Sequence, residues 1–436
     1  MAIGTPVNDR VAALAPARPA ARRRPATRVL TRSALIIAGC VAPALLVRLT
    51  GAHPSPGAAL VLDGAAVVSA SFLLAWAAEA AQLDVSGGLA IAVLAVVAVL
   101  PEYFVDLYYA FAAGHVPAYL QFASANMTGS NRLLMGLGWP AVVLVAAVVA
   151  RRPGIGNATL PLTPGNRVQM GFLLIAGLVA VAVPVSGQIH IVLGAALLGW
   201  FGFYLYTMSR DEVEEPQLIG TAAALAALSR RTRRVTVMTL FAAAGTVILL
   251  CAAPFANNLI AAGTRLGADR FLLVQWVAPV ASEAPELIVA VLLAARGRGA
   301  SAIAMLISAK VNQWTLLVGS LPLSYLIGGG GLALRLDARQ IGEVLLTATQ
   351  TLMGVALILA LRFPRYVAWV LLGLFVAQFP LSSIPDRLML SGLYAALAAT
   401  GLIVNRRHLR ATVAAPFTGH QRRPARGHAG LSALSR

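Results

Sequence analysis

The stretch Leu100-Pro101-Glu102-Tyr103-Phe104 decides the fold, and its Pro-Glu pair recurs in Ala284-Pro285-Glu286-Leu287-Ile288. Each pair stands near the middle of a long apolar run. A proline inside a helix removes one backbone hydrogen bond and kinks the helix. The freed carbonyls must face protein or a water-lined cavity, because lipid offers them no partner. A carboxylate beside such carbonyls predicts an oxygen-rich cation site at mid-membrane depth.

Composition identifies the class of protein. The chain has 436 residues, of which 59% are hydrophobic and only 11% charged, with a mean hydropathy of +0.79. Soluble domains carry roughly 25% charged residues. Apolar runs of about 20 residues, the length that a spanning helix requires, recur along the chain. Cys40 and Cys251 both fall inside such runs, so no disulfide framework is indicated. The sequence predicts an all-α, polytopic membrane protein.

The apolar runs predict twelve transmembrane helices. Their expected bounds are 34–50, 57–82, 88–113, 118–150, 167–186, 188–209, 235–255, 271–295, 301–328, 341–361, 366–382 and 387–405. The run 118–150 is too long for one straight helix, so we expect a short or broken piece near Pro117. With the N-terminus inside, 26 arginines lie on the inner side and 6 on the outer side. The positive-inside rule therefore places both termini in the cytoplasm and the chain in the cell (inner) membrane.

The two Pro-Glu pairs also indicate an internal repeat. They are 184 residues apart, and five predicted spans separate the starts of the two copies. Because five is odd, the copies enter the membrane in opposite orientations, as in secondary transporters with inverted repeats. The expected division is a disordered basic tail (1–33), an extra helix (34–56), the first five-helix repeat (57–209), a cytoplasmic loop (210–234), the second repeat (235–382), an extra helix (383–405) and a basic tail (406–436).

These motifs resemble the cation/calcium exchanger superfamily, which contains sodium/calcium and calcium/proton antiporters. Its repeats read Gly-x-Ser-x-Pro-Glu followed by Gly-Asn-x-x-Gly-Ser-Asn. Here the first repeat has Ala125-Asn126-Met127-Thr128-Gly129-Ser130-Asn131 after its Pro-Glu pair. The second has Ser282-Glu283-Ala284-Pro285-Glu286 and then Ala309-Lys310-Val311-Asn312-Gln313-Trp314-Thr315. The resemblance implies two inverted repeats that exchange cations by alternating access.

The resemblance also implies a set of ion ligands. Carried over, Glu102 and Glu286 are the leading metal ligands, and Asn126 and Ser282 are secondary ones. The chain departs from the family pattern at Val99, Glu283 and Lys310, which stand where the family has Ser, Ser and Asn. At these positions the centre has lost neutral oxygens and gained one acid and one base.

Helical spacing adds two further candidate ligands. Glu283 and Glu286 are three residues apart and share a helix face, and so do Glu102 and Asp106 at a spacing of four. Arg132, directly after the first Gly-Ser-Asn, is expected either to pair with an acid or to extend toward the membrane surface.

Lys310 is the only lysine of a chain with 33 arginines. A buried lysine is able to lose its proton, whereas an arginine is not. Two interpretations stay open at this point. Lys310 couples transport to protons by pairing with a glutamate until a cation displaces its proton, or it forms a permanent Lys-Glu pair in a non-transporting relative.

Cation:proton antiport of Na⁺ or Ca²⁺ is the function that the sequence favours, with Na⁺/Ca²⁺ exchange as an alternative coupling. The expected partners are the lipid bilayer, inorganic cations and protons, with no cofactor. The arginines cluster at segment ends and in the tails, which argues against nucleic acid as a partner. The chain has no His-Glu-x-x-His motif and no nucleophile elbow, so we expect a transporter rather than an enzyme. The sequence leaves the oligomeric state open.

Overall fold

The computed structural model describes residues 26–84, 100–150, 159–210 and 218–418, apart from the side chains of Pro101 and Glu102. Within these ranges the first half contains α1 (Ala26–Thr50), α2 (Pro56–Ala81), α3 (Leu100–Ala113), α4 (Leu120–Leu133), α5 (Trp139–Val149), β1 (Thr159–Pro161), α6 (Gly165–Ala180), α7 (Ala182–Ser186), β2 (Gln188–His190) and α8 (Ile191–Ser209). The second half contains α9 (Gly220–Ala226), α10 (Arg230–Arg265), α11 (Arg270–Ala295), α12 (Gly299–Asn312), α13 (Val318–Ile327), β3 (Ala333–Arg335), α14 (Ala338–Ile358), β4 (Arg362–Pro364), α15 (Arg365–Ala377), α16 (Ile384–Val404) and α17 (Arg406–Thr418).

The predicted all-helical membrane fold is confirmed. In the part of the chain that the structure describes, ten helices are long and apolar enough to cross a membrane. The predicted span 366–382 is the shorter apolar helix α15, and the predicted span 88–113 is described only from Leu100 onward. The expected break near Pro117 is a short 3-10 helix, Pro117–Tyr119, that leads into α4.

Short antiparallel ribbons join the two halves of the chain. Strand β1 pairs with β4, with Leu160 opposite Phe363, and β2 pairs with β3, with Ile189 opposite Leu334. Each ribbon thus takes one strand from each predicted repeat. These contacts connect residues that are far apart in sequence, and period-2 patterning over three residues is too short to reveal them.

Capping side chains determine where α11 and α14 begin. The Asp269 carboxylate accepts hydrogen bonds from the backbone N–H groups of Phe271 and Leu272, at 2.9 and 3.3 Å, and so starts α11. The Asp337 carboxylate accepts one from the Gln340 N–H at 2.8 Å and starts α14. Arg339 pairs with Asp269 at 2.7 Å, so α11 and α14 begin side by side on the same membrane face.

Helices α2 and α10 pack against each other along their length and are connected near both ends. At one end, Asp63 accepts a hydrogen bond from Asn258 of α10 at 2.9 Å and two from Arg48 of α1 at 2.8 and 2.9 Å. At the other end, Asp84 follows α2 and pairs with Arg233 of α10 at 2.7 Å. The hydrogen bond from Arg233 lowers the pKa of Asp84, which lies outside the membrane-spanning helices.

Three predicted boundaries differ from the structure. Helix α1 begins at Ala26, inside the segment predicted as a disordered tail. The predicted loop 210–234 contains α9, and α10 already begins at Arg230. The segment 406–418, predicted as part of a tail, is the helix α17.

Helix α17 was missed because three arginines and a histidine occupy its first five residues. Its Thr412, Ala415 and Pro416 are buried at helical spacing. They pack on α6, where a Cβ added to Gly171 would lie 2.3 Å from the Thr412 carbonyl oxygen. Only glycine permits this close approach of the two helices.

Candidate cation site

The two motif-bearing segments share an irregular backbone feature. A π-helical turn, Leu134–Gly138, directly follows α4, and a second one, Gln313–Leu317, directly follows α12. Single π-turns inside α-helices are frequent at functional sites. In both repeats the helix therefore departs from regular geometry just after the residues that the motifs single out. The sequence pattern did not indicate these turns.

Lys310 connects the two repeats at the centre of the protein. Its side chain is 0% exposed. The Nζ atom donates hydrogen bonds to the backbone oxygen of Asn131 at 2.8 Å and to the Asn131 Oδ1 atom at 3.1 Å. Glu283 is close enough to interact electrostatically with this ammonium. The sequence predicted a glutamate partner for Lys310, and Glu283 is such a neighbour. The hydrogen bonds to Asn131, the asparagine of the first Gly-Ser-Asn, were not predicted.

Helix α11 contributes Ser282 and Glu283 to the same region. The Gln313 Nε2 donates a hydrogen bond to the Glu283 Oε1, which joins α11 to the π-turn after α12. The Ser282 hydroxyl donates to the Ala278 backbone oxygen at 3.1 Å. Its own oxygen therefore keeps lone pairs available as acceptors. The structure thus brings together Lys310, Glu283, Gln313 and Asn131.

Asn126 and Ser130 present unsatisfied polar atoms on α4. The two residues are four apart and fully buried. Both amide atoms of Asn126 and the hydroxyl oxygen of Ser130 have no hydrogen-bond partner among the described residues. Buried polar groups without a partner are few in native proteins, and each needs an explanation. Neutral oxygens of this kind are suitable ligands for hard cations.

The remaining predicted ligands lie on α3 and α11. Asp106 is fully buried in α3, and Glu286 is partly exposed one turn after Glu283 in α11. The backbone of Glu102 belongs to α3, but its side chain lies outside the described residues. Among the side chains that are described, no group of three or more His, Cys, Asp or Glu is close enough to hold a metal ion. Helix α3 packs against both α4 and α11, so the three helices that carry the predicted ligands are neighbours.

A second buried charged cluster was not predicted as a unit. Arg132 Nη2 lies 2.6 Å from Glu343 Oε2, and Arg387 Nε lies 3.0 Å from Glu343 Oε1. Of the two expectations for Arg132, pairing with an acid is the correct one. Sequence analysis overlooked Glu343 and Arg387 because each stands near the start of its helix, where charged residues are common. Their position within apolar spans could have indicated that both are buried and paired.

The geometry and the topology define a class of protein. Two repeats meet at buried polar residues on interrupted helices, which is the architecture of a secondary transporter. The family described as "Sodium/calcium exchanger protein" matches residues 56–210 and 236–381. The chain belongs to this family, and it is a multi-pass cation antiporter.

Solved structures support the same assignment. The chain is similar to the "H+/Ca2+ Exchanger CAX", with 38% identity, a TM-score of 0.84 and coverage of 90% of this chain and 99% of that one. It also resembles the "Ca2+/H+ antiporter" protein YfkE, with a TM-score of 0.57 and coverage of 84% of this chain and 99% of that one. At 11% identity, the second match shows the fold alone. A search of the curated proteins gives no match.

Proposed function

We propose that this antiporter exchanges Ca²⁺ for protons across the cell membrane, with Na⁺ as the second candidate cation. The observation that carries the proposal is the side chain of Lys310, which is fully buried where the two repeats meet and donates a hydrogen bond to Asn131. The 38% identity to a protein described as an H⁺/Ca²⁺ exchanger supports both the cation and the proton. Coupling to protons follows from the chemistry of Lys310, because a buried lysine exists in charged and neutral forms.

Each site residue has a specific role in this proposal. Glu102 and Glu286 bind the cation directly, and the Asn126 amide oxygen and the Ser282 hydroxyl replace part of its hydration shell. Asp106 and Glu283 add negative charge around them. The unsatisfied Oδ1 atom of Asn126 supports this assignment, because a bound cation would supply the partner that the described residues do not provide for this oxygen.

Lys310 links the cation to the proton in the proposed cycle. Two unit charges about 4 Å apart interact by roughly 4 kcal/mol at an effective dielectric constant near 20. A charged Lys310 therefore repels an entering Ca²⁺ strongly. Transfer of its proton to water removes this repulsion, and the lysine takes up a proton again after the cation leaves. In each cycle Lys310 thus carries one proton across the membrane in the direction opposite to the cation.

The proposed organisation follows the matched ranges. The family matches begin and end within one residue of the predicted repeats 57–209 and 235–382, which leaves α1 and the segment from 383 onward outside them. We propose that both termini are cytoplasmic, on the basis of the arginine distribution. We also propose that the protein is not an enzyme and needs no cofactor beyond the cation and the proton that it transports.

Transport into vesicles tests the proposal. Inside-out membrane vesicles with an imposed proton gradient receive Ca²⁺, Na⁺, K⁺, Li⁺ or Mg²⁺ in turn, and a pH-sensitive dye follows the gradient. We expect Ca²⁺ to dissipate the gradient in vesicles that contain the protein, and not in vesicles that contain its Glu286→Gln variant. A response to Na⁺ alone would show that the transported cation is Na⁺ and not Ca²⁺. No response to any of the five cations would contradict proton-coupled antiport.

A further inference from the structure

Glu343 is the centre of a fully buried network of charged and amide groups. Its side chain is 1% exposed, and those of Arg132 and Arg387 are 0% and 3% exposed. The two guanidinium groups approach different oxygens of the carboxylate, and Gln275 donates a hydrogen bond to Oε2 at 3.2 Å. We name Arg132, Gln275, Glu343 and Arg387 the Glu343 cluster. One carboxylate is thus held from three directions.

The cluster joins four helices, and one of them lies outside the two matched repeats. Arg132 belongs to α4, Gln275 to α11, Glu343 to α14 and Arg387 to α16. The match to the exchanger family ends at residue 381, so Arg387 reaches into the second repeat from the extra C-terminal helix. Gln378, at the end of α15, accepts a hydrogen bond from Arg132 at 2.9 Å through its side chain and one from Arg387 at 3.0 Å through its backbone oxygen.

Gln275 extends the network to the crossing of the two site-bearing helices. Its Nε2 atom donates to the Thr128 hydroxyl of α4 at 3.1 Å as well as to Glu343. At the same level the helix backbones touch, because a Cβ added to Gly129 would lie 1.8 Å from the Gln275 backbone oxygen. Thr128 and Gly129 lie between Asn126 and Asn131, and Gln275 lies two turns before Ser282. The cluster therefore acts on the point where α4 and α11 are fixed against each other.

We propose that the Glu343 cluster is a positioning unit for the cation site and that Arg387 makes the extra C-terminal helix part of the transport machinery. Glu343 is not itself a ligand, because two arginines and an amide already approach its oxygens. It orients Gln275, and Gln275 sets the spacing of α4 and α11, which carry Asn126, Ser282 and Glu286. Groups that orient the ligands of an ion alter the affinity for that ion without touching it.

The ion pair between Arg48 and Asp63 provides a matched control. It joins the other extra helix, α1, to α2 at 2.8 Å, but the partners that the structure gives Asp63 lie on α1 and α10, not on α4 or α11. Both arginines therefore come from outside the matched repeats and pair with a buried carboxylate. Only Arg387 connects to the helices that bear the site. A purely structural role would affect both pairs alike.

The experiment measures the KM and the maximal rate of Ca²⁺ transport in vesicles, together with the Tm of each purified variant. The inference rests on the proposed function, so wild-type transport is measured first, with Na⁺ in place of Ca²⁺ if Na⁺ is the cation. We expect Arg387→Gln and Gln275→Leu to raise the KM roughly tenfold or more, because loss of orienting partners typically costs 10- to 100-fold in ion affinity. Arg387→Lys should recover part of the affinity, and Arg48→Gln should leave the KM unchanged.

Gln275→Leu keeps the test valid even if Arg387→Gln does not fold, because it leaves all three charges in place. A lower Tm with an unchanged KM in the Gln275→Leu variant would overturn the proposal. An equal rise in KM in the Arg48→Gln variant would overturn it as well, because it would show that any anchoring of an extra helix affects the site. A wild-type protein that transports none of the five cations would refute the proposed function, and this inference with it.

Discussion

The Glu343 cluster and the cation site are two buried polar regions that share α4 and α11, but they differ in whether their central group has close charged partners. In the Glu343 cluster, both carboxylate oxygens lie within 3.0 Å of a guanidinium nitrogen. In the cation site, both amide atoms of Asn126 and the hydroxyl of Ser130 have no hydrogen-bond partner among the described residues. The same two helices thus lie beside a carboxylate with two ion-pair partners and an amide without a described partner.

This difference separates residues that position the site from residues that bind the cation. A buried ion pair whose groups hold one another has little capacity left for a ligand, and removal of one partner destabilises the protein. A buried polar group without a partner costs free energy, and its retention is understandable if a ligand satisfies it during the transport cycle. Substitutions in the Glu343 cluster should therefore lower stability as well as cation affinity, whereas substitutions in the cation site should affect transport while the protein stays folded.

The largest expected effect is on stability, in the variant Glu343→Gln. The substitution removes the charge that compensates Arg132 and Arg387, which are both buried. Breaking a buried ion pair typically destabilises a protein by about 3–5 kcal/mol. Thermal unfolding in detergent should show a clear loss of Tm. Glu286→Gln is the matched control, because Glu286 has no hydrogen bond or ion pair with any described side chain. An equal loss of Tm in the two variants would contradict the view that the Glu343 cluster contributes more to stability than the cation site does.

The next largest effect is on transport, in the variant Glu286→Gln. Removal of a group that orients a ligand costs up to about 100-fold in ion affinity. Loss of the charge of a direct ligand should reduce cation-dependent proton movement by at least on the order of 100-fold. Vesicle flux at saturating Ca²⁺ measures it. Glu79→Gln serves as control, because Glu79 is also a part-buried carboxylate in an apolar helix, α2. Normal flux in the Glu286→Gln variant would exclude Glu286 as a ligand.

A smaller effect is expected for Asn126→Ala. The KM for Ca²⁺ should rise about tenfold, while stability should change by less than about 1 kcal/mol because no hydrogen bond to a described residue is lost. Asn166→Ala is the contrasting variant. The Asn166 Oδ1 accepts hydrogen bonds from the Thr163 N–H and hydroxyl at 2.8 and 2.7 Å, so this change should cost about 1–3 kcal/mol and leave the KM unaltered. The reverse pattern would contradict the role of Asn126.

The smallest effect is expected for Asp84→Asn, at the ion pair that follows α2. The Asp84 and Arg233 side chains are 8% and 12% exposed. Exposed Arg230 and Arg234 border them, so we expect a contribution at the upper end of the roughly 0–1 kcal/mol of surface ion pairs. Because the hydrogen bond from Arg233 lowers the pKa of Asp84, the contribution is present above the unfolded pKa and is lost as the pH falls through the folded one. Unfolding curves of the wild type and the variant should therefore converge in acid. A difference that grows as the pH falls would contradict this sign.

The membrane architecture and most of the motif residues could be predicted from the sequence. The length of the apolar runs predicts the spans. The two Pro-Glu pairs, followed by Asn126 and Lys310 at equivalent positions, indicate the repeat, because each motif is a local pattern in the sequence. The Glu343 cluster could not be predicted, since its four members come from four helices and successive members are 143, 68 and 44 residues apart along the chain. The contact of Lys310 with Asn131 was also beyond sequence patterns, because it depends on how the two repeats pack. Helix α17 was missed because the basic residues at its start concealed three buried positions.

Proton release on cation binding tests the central claim most directly. Purified protein in weakly buffered detergent solution is titrated with Ca²⁺, and a pH indicator counts the protons that leave. Cation binding to ionisable groups releases protons, and here Lys310 is the proposed source. We predict about one proton per bound Ca²⁺ in the wild type and none from this residue in Lys310→Arg, which keeps its charge. Ca²⁺ binding with equal proton release in both proteins would contradict the role of Lys310.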